Sequence, residues 1–356
     1  MDTSLVSWIK NTPRPFVIAG PCSIETEERT HQLISDLKSE GKTQLLRAGI
    51  WKPRTRPDSF EGIGEVGLPW LAEAAKKHEL PFSIEVANSK HVELALKNGA
   101  DVLWVGARTT VNPFAVQEIA DSLRGTNIPV MIKNPINPDL NLWIGAFERL
   151  QHAGITDLVA IHRGFSVYKH DTYRNVPTWE IPIALKQELT DIPLICDPSH
   201  IAGRTDLLQE VSQKAMDLNY SGLMIETHSN PEVAWSDAKQ QITAKSLTEL
   251  LSVLVLRSNV MEQCSFEELD AFRKQVNALD GELFDILVKR MNISEEIGRF
   301  KKEHNITILQ EEHWKKIVDA RLQMANDLNL TNDFVRSILD AIHLESITRQ
   351  ISVMNK

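Results

Sequence analysis

The chain has 356 residues, 42% of them hydrophobic and 24% charged. That composition excludes a disordered, collagenous or repeat-only protein and leaves either one large α/β unit or a barrel of about 250 residues with an appendage. Its 39 basic and 48 acidic side chains give a net charge of −9, so neither nucleic acid nor an anionic membrane is an expected partner, and any anionic ligand needs a local basic pocket.

Three scattered cysteines, Cys22, Cys196 and Cys264, cannot staple a disulfide framework. The first fifteen residues carry no apolar signal-like core, and no stretch reaches the ~18 apolar residues of a membrane span. A reducing, cytoplasmic location is the expectation. From Phe16 onward, short apolar runs of strand length recur: Phe16–Ala19, Gln44–Ala48, Phe82–Val86, Val102–Gly106, Val130–Lys133, Leu158–His162, Leu194–Cys196 and Leu223–Glu226. Amphipathic helix-length segments separate them: Thr26–Glu40, Leu68–His78, Lys90–Asn98, Pro113–Arg124, Asn141–Ala153, Pro177–Leu189 and Thr205–Asn219. Eight strands joined by right-handed crossovers predict a (β/α)8 TIM barrel over residues 1–256 rather than an open sheet. A linker is expected at 257–265.

Residues 266–356 contain no proline and only two glycines, Gly281 and Gly298, which predicts a small all-α helical domain. Leu269, Phe272, Val276, Leu279, Leu283 and Ile286 step by three and four, and the series resumes at Ile293, Ile297 and Phe300. A helix over 266–303 is roughly 57 Å long and must bury this seam. Helices over Glu311–Asp327 and Asp333–Met354 are expected to cover part of it, and a second chain the rest, which makes a homodimer through the helical domain the expected assembly.

Polar residues at the C-terminal ends of barrel strands carry the chemistry of this architecture. Cys22 follows strand one, His200 strand seven, Glu226 ends strand eight and Asp237 lies in the loop beyond. A thiolate, an imidazole and two carboxylates form a mixed N/O/S set that suits Mn, Fe, Co or Zn better than Mg or Ca. The other reading is a buried cysteine acting as a small hydrophobe beside a His–Glu hydrogen bond. Around the same rim stand Arg47, Lys52 and Arg54 after strand two, Arg108 after strand four, Lys133 at the end of strand five and Arg163 after strand six. Such a ring suits phosphorylated or carboxylated substrates, the alternative being solvated charges with no ligand. In the helical segment Arg290 interrupts the seam, Arg273 and Lys301 flank it, and Ser346 and Gln350 share one face of the last helix. A small dianion held between helices, or a structural Arg–Glu pair, would account for these groups.

Gly20-Pro21-Cys22-Ser23, Lys52-Pro53-Arg54-Thr55, Gly106-Ala107-Arg108, Asp197-Pro198-Ser199-His200 and Glu226-Thr227-His228 occur in order. Residues 16–245 thereby resemble the type I-beta 3-deoxy-D-arabino-heptulosonate 7-phosphate (DAHP) synthases, and residues 265–356 resemble an all-helical chorismate mutase. The resemblance implies metal-dependent condensation of phosphoenolpyruvate with erythrose 4-phosphate, and rearrangement of chorismate to prephenate. By it, Cys22, His200, Glu226 and Asp237 hold the metal. Arg47 and Lys52 hold the phosphoenolpyruvate carboxylate, Arg108, Lys133 and Arg163 its phosphate, and Arg54, Thr55 and Ser199 the erythrose 4-phosphate. Lys52 is also the implied proton donor. The mutase positions fall on Arg273, supplied by the partner chain, and on Arg290, Lys301, Ser346 and Gln350. Lys301 and Gln350 face the breaking ether. Two departures stand out, because His313 replaces an arginine and Trp314 an acidic residue of the pattern. Alternatives are an octulosonate 8-phosphate synthase-like barrel, against which Pro53 argues because the rival carries Asn there, or a catalytically dead helical module that dimerises and regulates. The fusion also leads to the expectation that prephenate or chorismate at the helical domain inhibits the barrel.

Overall fold

The computed structural model describes residues 4–52, 58, 60–168, 172–257 and 263–355, without the side chains of 263–266 and 326. The chain divides into two compact units, Met1–Asn259 and Val260–Lys356. In chain order the first unit runs α1 (Leu5–Asn11), β1 (Phe16–Gly20), α2 (Glu27–Glu40), β2 (Leu45–Ala48), α3 (Gly67–Lys77), β3 (Phe82–Val86), α4 (Ser89–Lys97), β4 (Val102–Val105), α5 (Ala107–Thr110), α6 (Pro113–Ser122), β5 (Val130–Lys133), α7 (Leu140–His152), β6 (Leu158–His162), α8 (Glu180–Glu188), β7 (Leu194–Cys196), α9 (Pro198–Ala202), α10 (Leu208–Asp217), β8 (Gly222–Glu226) and α11 (Ala244–Ser252). The second unit holds α12 (Gln263–Glu303), α13 (Glu311–Asp327) and α14 (Asn332–Met354).

All eight strands pair in parallel with their sequence neighbours, and β8 closes on β1 from Phe16↔Gly222 to Gly20↔Glu226. The first unit is therefore a (β/α)8 barrel. Each strand lies within one residue of its expected bounds at either end, because strands covered on both faces read as unbroken apolar runs. Alternate side chains build two separate cores. Val17, Ala19, Leu46, Leu103, Ile132, Ala160 and Ile225 pack outward against the helices, whereas Phe16, Ile18, Leu45, Val102, Trp104, Met131, Ile161, Ile195 and Met224 fill the interior.

The interior is closed by α1, an element that the sequence reading did not anticipate. Leu5 and Ile9 join the interior cluster, and Asp157 anchors the helix start by accepting hydrogen bonds from Leu5 N–H (2.5 Å), Val6 N–H (2.9 Å) and Ser4 Oγ (3.1 Å). Seven residues are too few for a self-supporting helix, so packing on the barrel foot must stabilise it. The short turns α5 and α9 were likewise unanticipated, since four and five residues display no period.

In the second unit α14 packs along α12, and α13 along α14. The close approach of α12 and α14 depends on Gly298, where a Cβ would come within 3.0 Å of the Gln350 backbone. The expected cover of the seam is not what forms. The face of α12 turned to α14 carries Met291, Ser294 and Lys301, all buried, while Leu279, Leu283, Ile286, Ile293 and Phe300 of the seam remain 53–62% exposed. Small residues at 294, 298 and 346 let α14 settle on the neighbouring face, so the apolar seam is left to other cover.

Candidate active site

Counting upward from the apolar interior, the next inward position on six of the eight strands is polar or aromatic. After Leu45 comes Arg47, after Met131 comes Lys133, after Met224 comes Glu226, after Ile195 comes Asp197 and after Ile161 comes Arg163. Trp104 occupies the same level on β4. Arg47, Lys133, Arg163, Asp197 and Glu226 are all buried, which excludes solvated rim charges for these three cations, whereas Lys52 is half-buried and Arg108 exposed. The cost of burial is met by pairing. Arg47 Nη1 lies 3.1 Å from Glu226 Oε1, Lys133 Nζ lies 2.8 Å from Asp197 Oδ2, and Arg163 Nη1 donates to Asn175 Oδ1 at 2.6 Å. The Trp104 ring adds a π face 5.2 Å from the Arg47 guanidinium and 5.9 Å from Lys133 Nζ.

Above this layer a cavity of about 150 Å³ is lined by Lys52, Glu85, Arg108, Lys133, Arg163, Arg174, Asn175, His200 and Asp237. Lys52 donates to the Cys22 carbonyl at 2.9 Å, and its neighbour Trp51 stacks on His91 with centroids 3.9 Å apart. Burial alone would lower the Lys52 pKa, but the charges of Cys22, Glu226 and Glu85 outweigh it and raise it, so the ammonium form persists. Burial lowers Lys133 and brings Arg163 down to about 10. Despite burial, Asp197 is held well below the usual carboxylate range by His200 and Lys133.

The four residues expected to hold a metal gather into two adjoining pairs. Cys22 Sγ lies 3.2 Å from Asp237 Oδ2, and His200 Nε2 lies 3.6 Å from Glu226 Oε1. Gly20 makes this possible. At φ +153° its missing side chain leaves room for the Arg47 carbonyl, which a Cβ would meet at 2.0 Å. The donor set fits a divalent ion on three observations. Burial lowers the His200 pKa, leaving a neutral imidazole, and Nδ1 lies 2.8 Å from Asp197 Oδ2, which orients Nε2 for coordination. Glu226 Oε1 is buried and makes no hydrogen bond of good geometry, its neighbours being the ion-pair contacts to Arg47 Nη1 and His200 Nε2. Burial, followed by the Glu226 charge, pushes the Cys22 thiol up to about 12, an environment that a nearby dication would invert. Among the described residues, however, the three donors whose ligand atoms all lie within 4.8 Å of one another are Glu27, His31 and Glu73 on α2 and α3, two exposed carboxylates and a half-buried histidine.

Ser199 is buried and accepts a hydrogen bond from Glu226 N–H at 2.9 Å, which fixes the end of β8; it is not among the cavity-lining residues. Arg54 and Thr55 lie outside the described residues. Several site residues were missed from sequence because they sit on aperiodic loops. Arg174 pairs with Asp237 at 2.9 Å and donates to Gln240 Oε1 at 2.6 Å. Gln240 in turn donates to Glu226 Oε2 at 2.6 Å, and Ser236 Oγ donates to Cys22 Sγ at 2.9 Å. The left-handed backbone of Asp237, at φ 51°, was the kind of signal that only coordinates reveal.

In the helical unit, Arg290 Nη1 donates to Ser346 Oγ at 2.5 Å, Ser294 Oγ lies 3.3 Å from Ser346 Oγ, and Lys301 Nζ donates to the Ile308 carbonyl at 2.6 Å. Gln350 Oε1 is buried without a partner. Burial lowers the pKa of both Arg290 and Lys301. Arg273 is exposed and lies seventeen residues before Arg290, about 26 Å along the same helix, so its own chain does not bring it to this cluster. His313 is also exposed, whereas Trp314 is half-buried and stacks on His343 with centroids 3.7 Å apart and planes 8° from parallel.

These features define a (β/α)8-barrel enzyme with an anion-binding rim, carrying a helical unit with a second cationic cluster. Residues 8–262 match the DAHP synthetase I family and residues 272–351 match chorismate mutase type II. The chain belongs to the DAHP synthetase I family and is an enzyme with both a synthase and a mutase domain. It is 32% identical over 235 residues to the phospho-2-dehydro-3-deoxyheptonate aldolase of Thermotoga maritima, covering 66% of this chain and 67% of that one. It is 26% identical over 283 residues to the 2-dehydro-3-deoxyphosphooctonate aldolase of Delftia acidovorans, covering 72% and 95%. The crystal structure of the Thermotoga maritima DAHP synthase superposes with a TM-score of 0.61 at 31% identity, covering 67% of each chain. No helix among the described residues is long and apolar enough to cross a membrane.

Proposed function

We propose that the barrel condenses phosphoenolpyruvate with erythrose 4-phosphate to give DAHP and phosphate, and that the helical unit rearranges chorismate to prephenate. The observation that carries the first half is one small cavity lined by the cations Lys52, Lys133 and Arg163, the last two buried, with buried Arg47 in the layer below. In this reading Arg47 and Lys52 take the carboxylate of phosphoenolpyruvate, and Lys133, Arg163 and Arg108 its phosphate. Holding both charged ends of one substrate fixes the attacking carbon relative to the second, which is the larger part of what such a site must do. Cys22, His200, Glu226 and Asp237 would hold a divalent metal, which when bound supplies Lewis-acid polarisation of the aldehyde. Lys52 remains protonated and is the group able to deliver a proton to the aldehyde oxygen as the new bond forms. Asp197 neutralises Lys133 while orienting His200.

For the mutase no nucleophile is needed. Arg290 and Lys301 bind the two carboxylates, Ser346 orients Arg290, and Lys301 with the amide N–H of Gln350 faces the breaking ether oxygen. Arg273 reaches the site from a second chain. The exposed seam of α12 supports that homodimer, and the missing cationic contact supports it further. The small-molecule substrates, the absence of nucleic-acid and membrane partners, the cytoplasmic location and the inhibition of the barrel by prephenate belong to the same reading.

The test uses the intact chain, with and without EDTA, assayed for phosphoenolpyruvate consumption with erythrose 4-phosphate and with arabinose 5-phosphate. We expect turnover with the former, its loss with chelator and its recovery with Mn, Co or Zn. Preference for arabinose 5-phosphate would move the barrel to the octulosonate class, and chelator-resistant turnover would sink the metal reading. A chorismate assay on the same preparation separates a working mutase from a dead helical module, and saturating prephenate that leaves the synthase rate unchanged would remove the regulatory proposal.

A further inference from the structure

His343 stands in the helical unit without an assigned task. It lies on α14 three residues before Ser346 and seven before Gln350, so it continues the stripe whose other two members are buried in the Arg290–Lys301 cluster. Trp314, reaching across from α13, lies flat against its ring. Stacking fixes the imidazole plane and leaves only its edge free for hydrogen bonding, and neither ring nitrogen bonds to a described residue. Three kinds of group thus lie along one stripe of α14 and the α12 face packed on it: two cations, an amide carbonyl without a donor, and an oriented imidazole edge. Chorismate presents two carboxylates, an ether oxygen and one neutral secondary hydroxyl. The cations match the charged groups, and a neutral imidazole, donor at one nitrogen and acceptor at the other, matches a hydroxyl.

We propose that His343, clamped by Trp314, is a further substrate-contacting residue of the helical site and hydrogen-bonds the ring hydroxyl of chorismate. The proposal rests on the mutase reading above. The charged groups whose fields reach the imidazole agree with a neutral ring. Burial first, then Arg290 and Lys301 on α12, lower its pKa against the opposing charge of Asp340 on its own helix, and α13 faces it with the uncharged indole. Protonation would remove the acceptor nitrogen and set a third cation beside the other two.

The experiment measures kcat and KM for chorismate from acidic to mildly alkaline pH in the full chain, for wild type, His343→Leu and His343→Asn, with the far-ultraviolet circular-dichroism spectrum and melt of the full chain as the folding control. Wild type should lose kcat/KM as the pH falls below the ordinary histidine range. His343→Leu should be roughly tenfold weaker at neutral pH. His343→Asn, which keeps a donor and an acceptor but cannot titrate, should recover most of that loss and show no acidic limb from this group. A His343→Leu chain with a wild-type spectrum and melt and mutase kcat/KM within twofold of wild type at every pH would overturn the proposal. A wild-type chain that does not convert chorismate would instead overturn the mutase reading, and the proposal with it.

Discussion

The barrel and the helical unit solve the same problem, holding anions with cations in an acidic chain, in opposite ways. In the barrel each buried cation already has a protein partner: Glu226 for Arg47, Asp197 for Lys133 and Asn175 for Arg163. In the helical unit Arg290 and Lys301 lean on a hydroxyl and a carbonyl, among the described residues no carboxylate lies within ion-pair distance of either, and Arg273 stands far along the helix. In the proposed reading the barrel cations are preorganised by partners within one chain, and the helical site awaits Arg273 from a second chain across the exposed seam of α12. Preorganisation by buried ion pairs demands a closed scaffold, whereas a site on one face of a helix can be completed by association.

The sharpest way to break this contrast is at Lys133. Lys133→Met removes the ammonium partner of buried Asp197 and leaves it only His200, which should lower stability by up to about 3–5 kcal/mol and synthase turnover by roughly 10²–10³-fold, while the mutase keeps its rate at a temperature where the chain is folded. A variant with near-normal phosphoenolpyruvate turnover would mean that the buried pair is scaffolding alone. Next in size is the seam. Ile286→Glu places a charge on the exposed stripe, and we expect the mass in solution to halve and mutase activity to fall by about tenfold or more, with the synthase retained. An unchanged mass and mutase rate would show that the helical site is complete in one chain.

The smallest effect concerns the layer between the barrel strands and the helices. His162 is buried, its Nδ1 3.0 Å from the Tyr220 hydroxyl and its Nε2 2.6 Å from the Pro177 carbonyl, so the neutral tautomer with hydrogen on Nε2 satisfies both. Burial lowers its pKa to about 3. Its folded value is below the unfolded one, so the unfolded chain gains a proton first as pH falls. Stability is unaffected by this group above about pH 6.5 and drains by about 1.4 kcal/mol per pH unit below it, toward the folded value. Thermal melting at pH 7.5 and pH 5 should show this loss in wild type and a smaller one in His162→Gln; equal losses would point to carboxylates elsewhere.

The eight strands were legible because layers on both faces force continuous apolar runs, and Arg47, Lys133 and Glu226 were legible because a charge at the end of such a run violates the pattern. Arg174, Gln240 and Ser236 were not, since loop residues have no period to violate. The seam teaches the reverse lesson. Its three-four spacing was plain from Leu269 to Phe300, yet spacing does not say which face a neighbouring helix will choose. That choice fell to Ser294, Gly298 and Ser346, small residues that permit close approach and carry no hydrophobic signal. His343 and Trp314 were visible only as letters until the stack joined them. The metal set was legible as residue types, but its second partners, Asp197 at the His200 ring and Ser236 at the Cys22 sulfur, depend on tertiary placement.

The alternation along the barrel strands has a mechanical side. Arg47, Lys133 and Glu226 each stand two residues, about 6.7 Å, above Leu45, Met131 and Met224. Every charge is a cantilever bolted to an apolar footing, and the footings are wedged against one another and against Leu5 and Ile9 of α1. Loosening any footing therefore tilts the tools above it before it loosens the shell of helices outside, so wear in this molecule should be felt as lost turnover earlier than as lost fold.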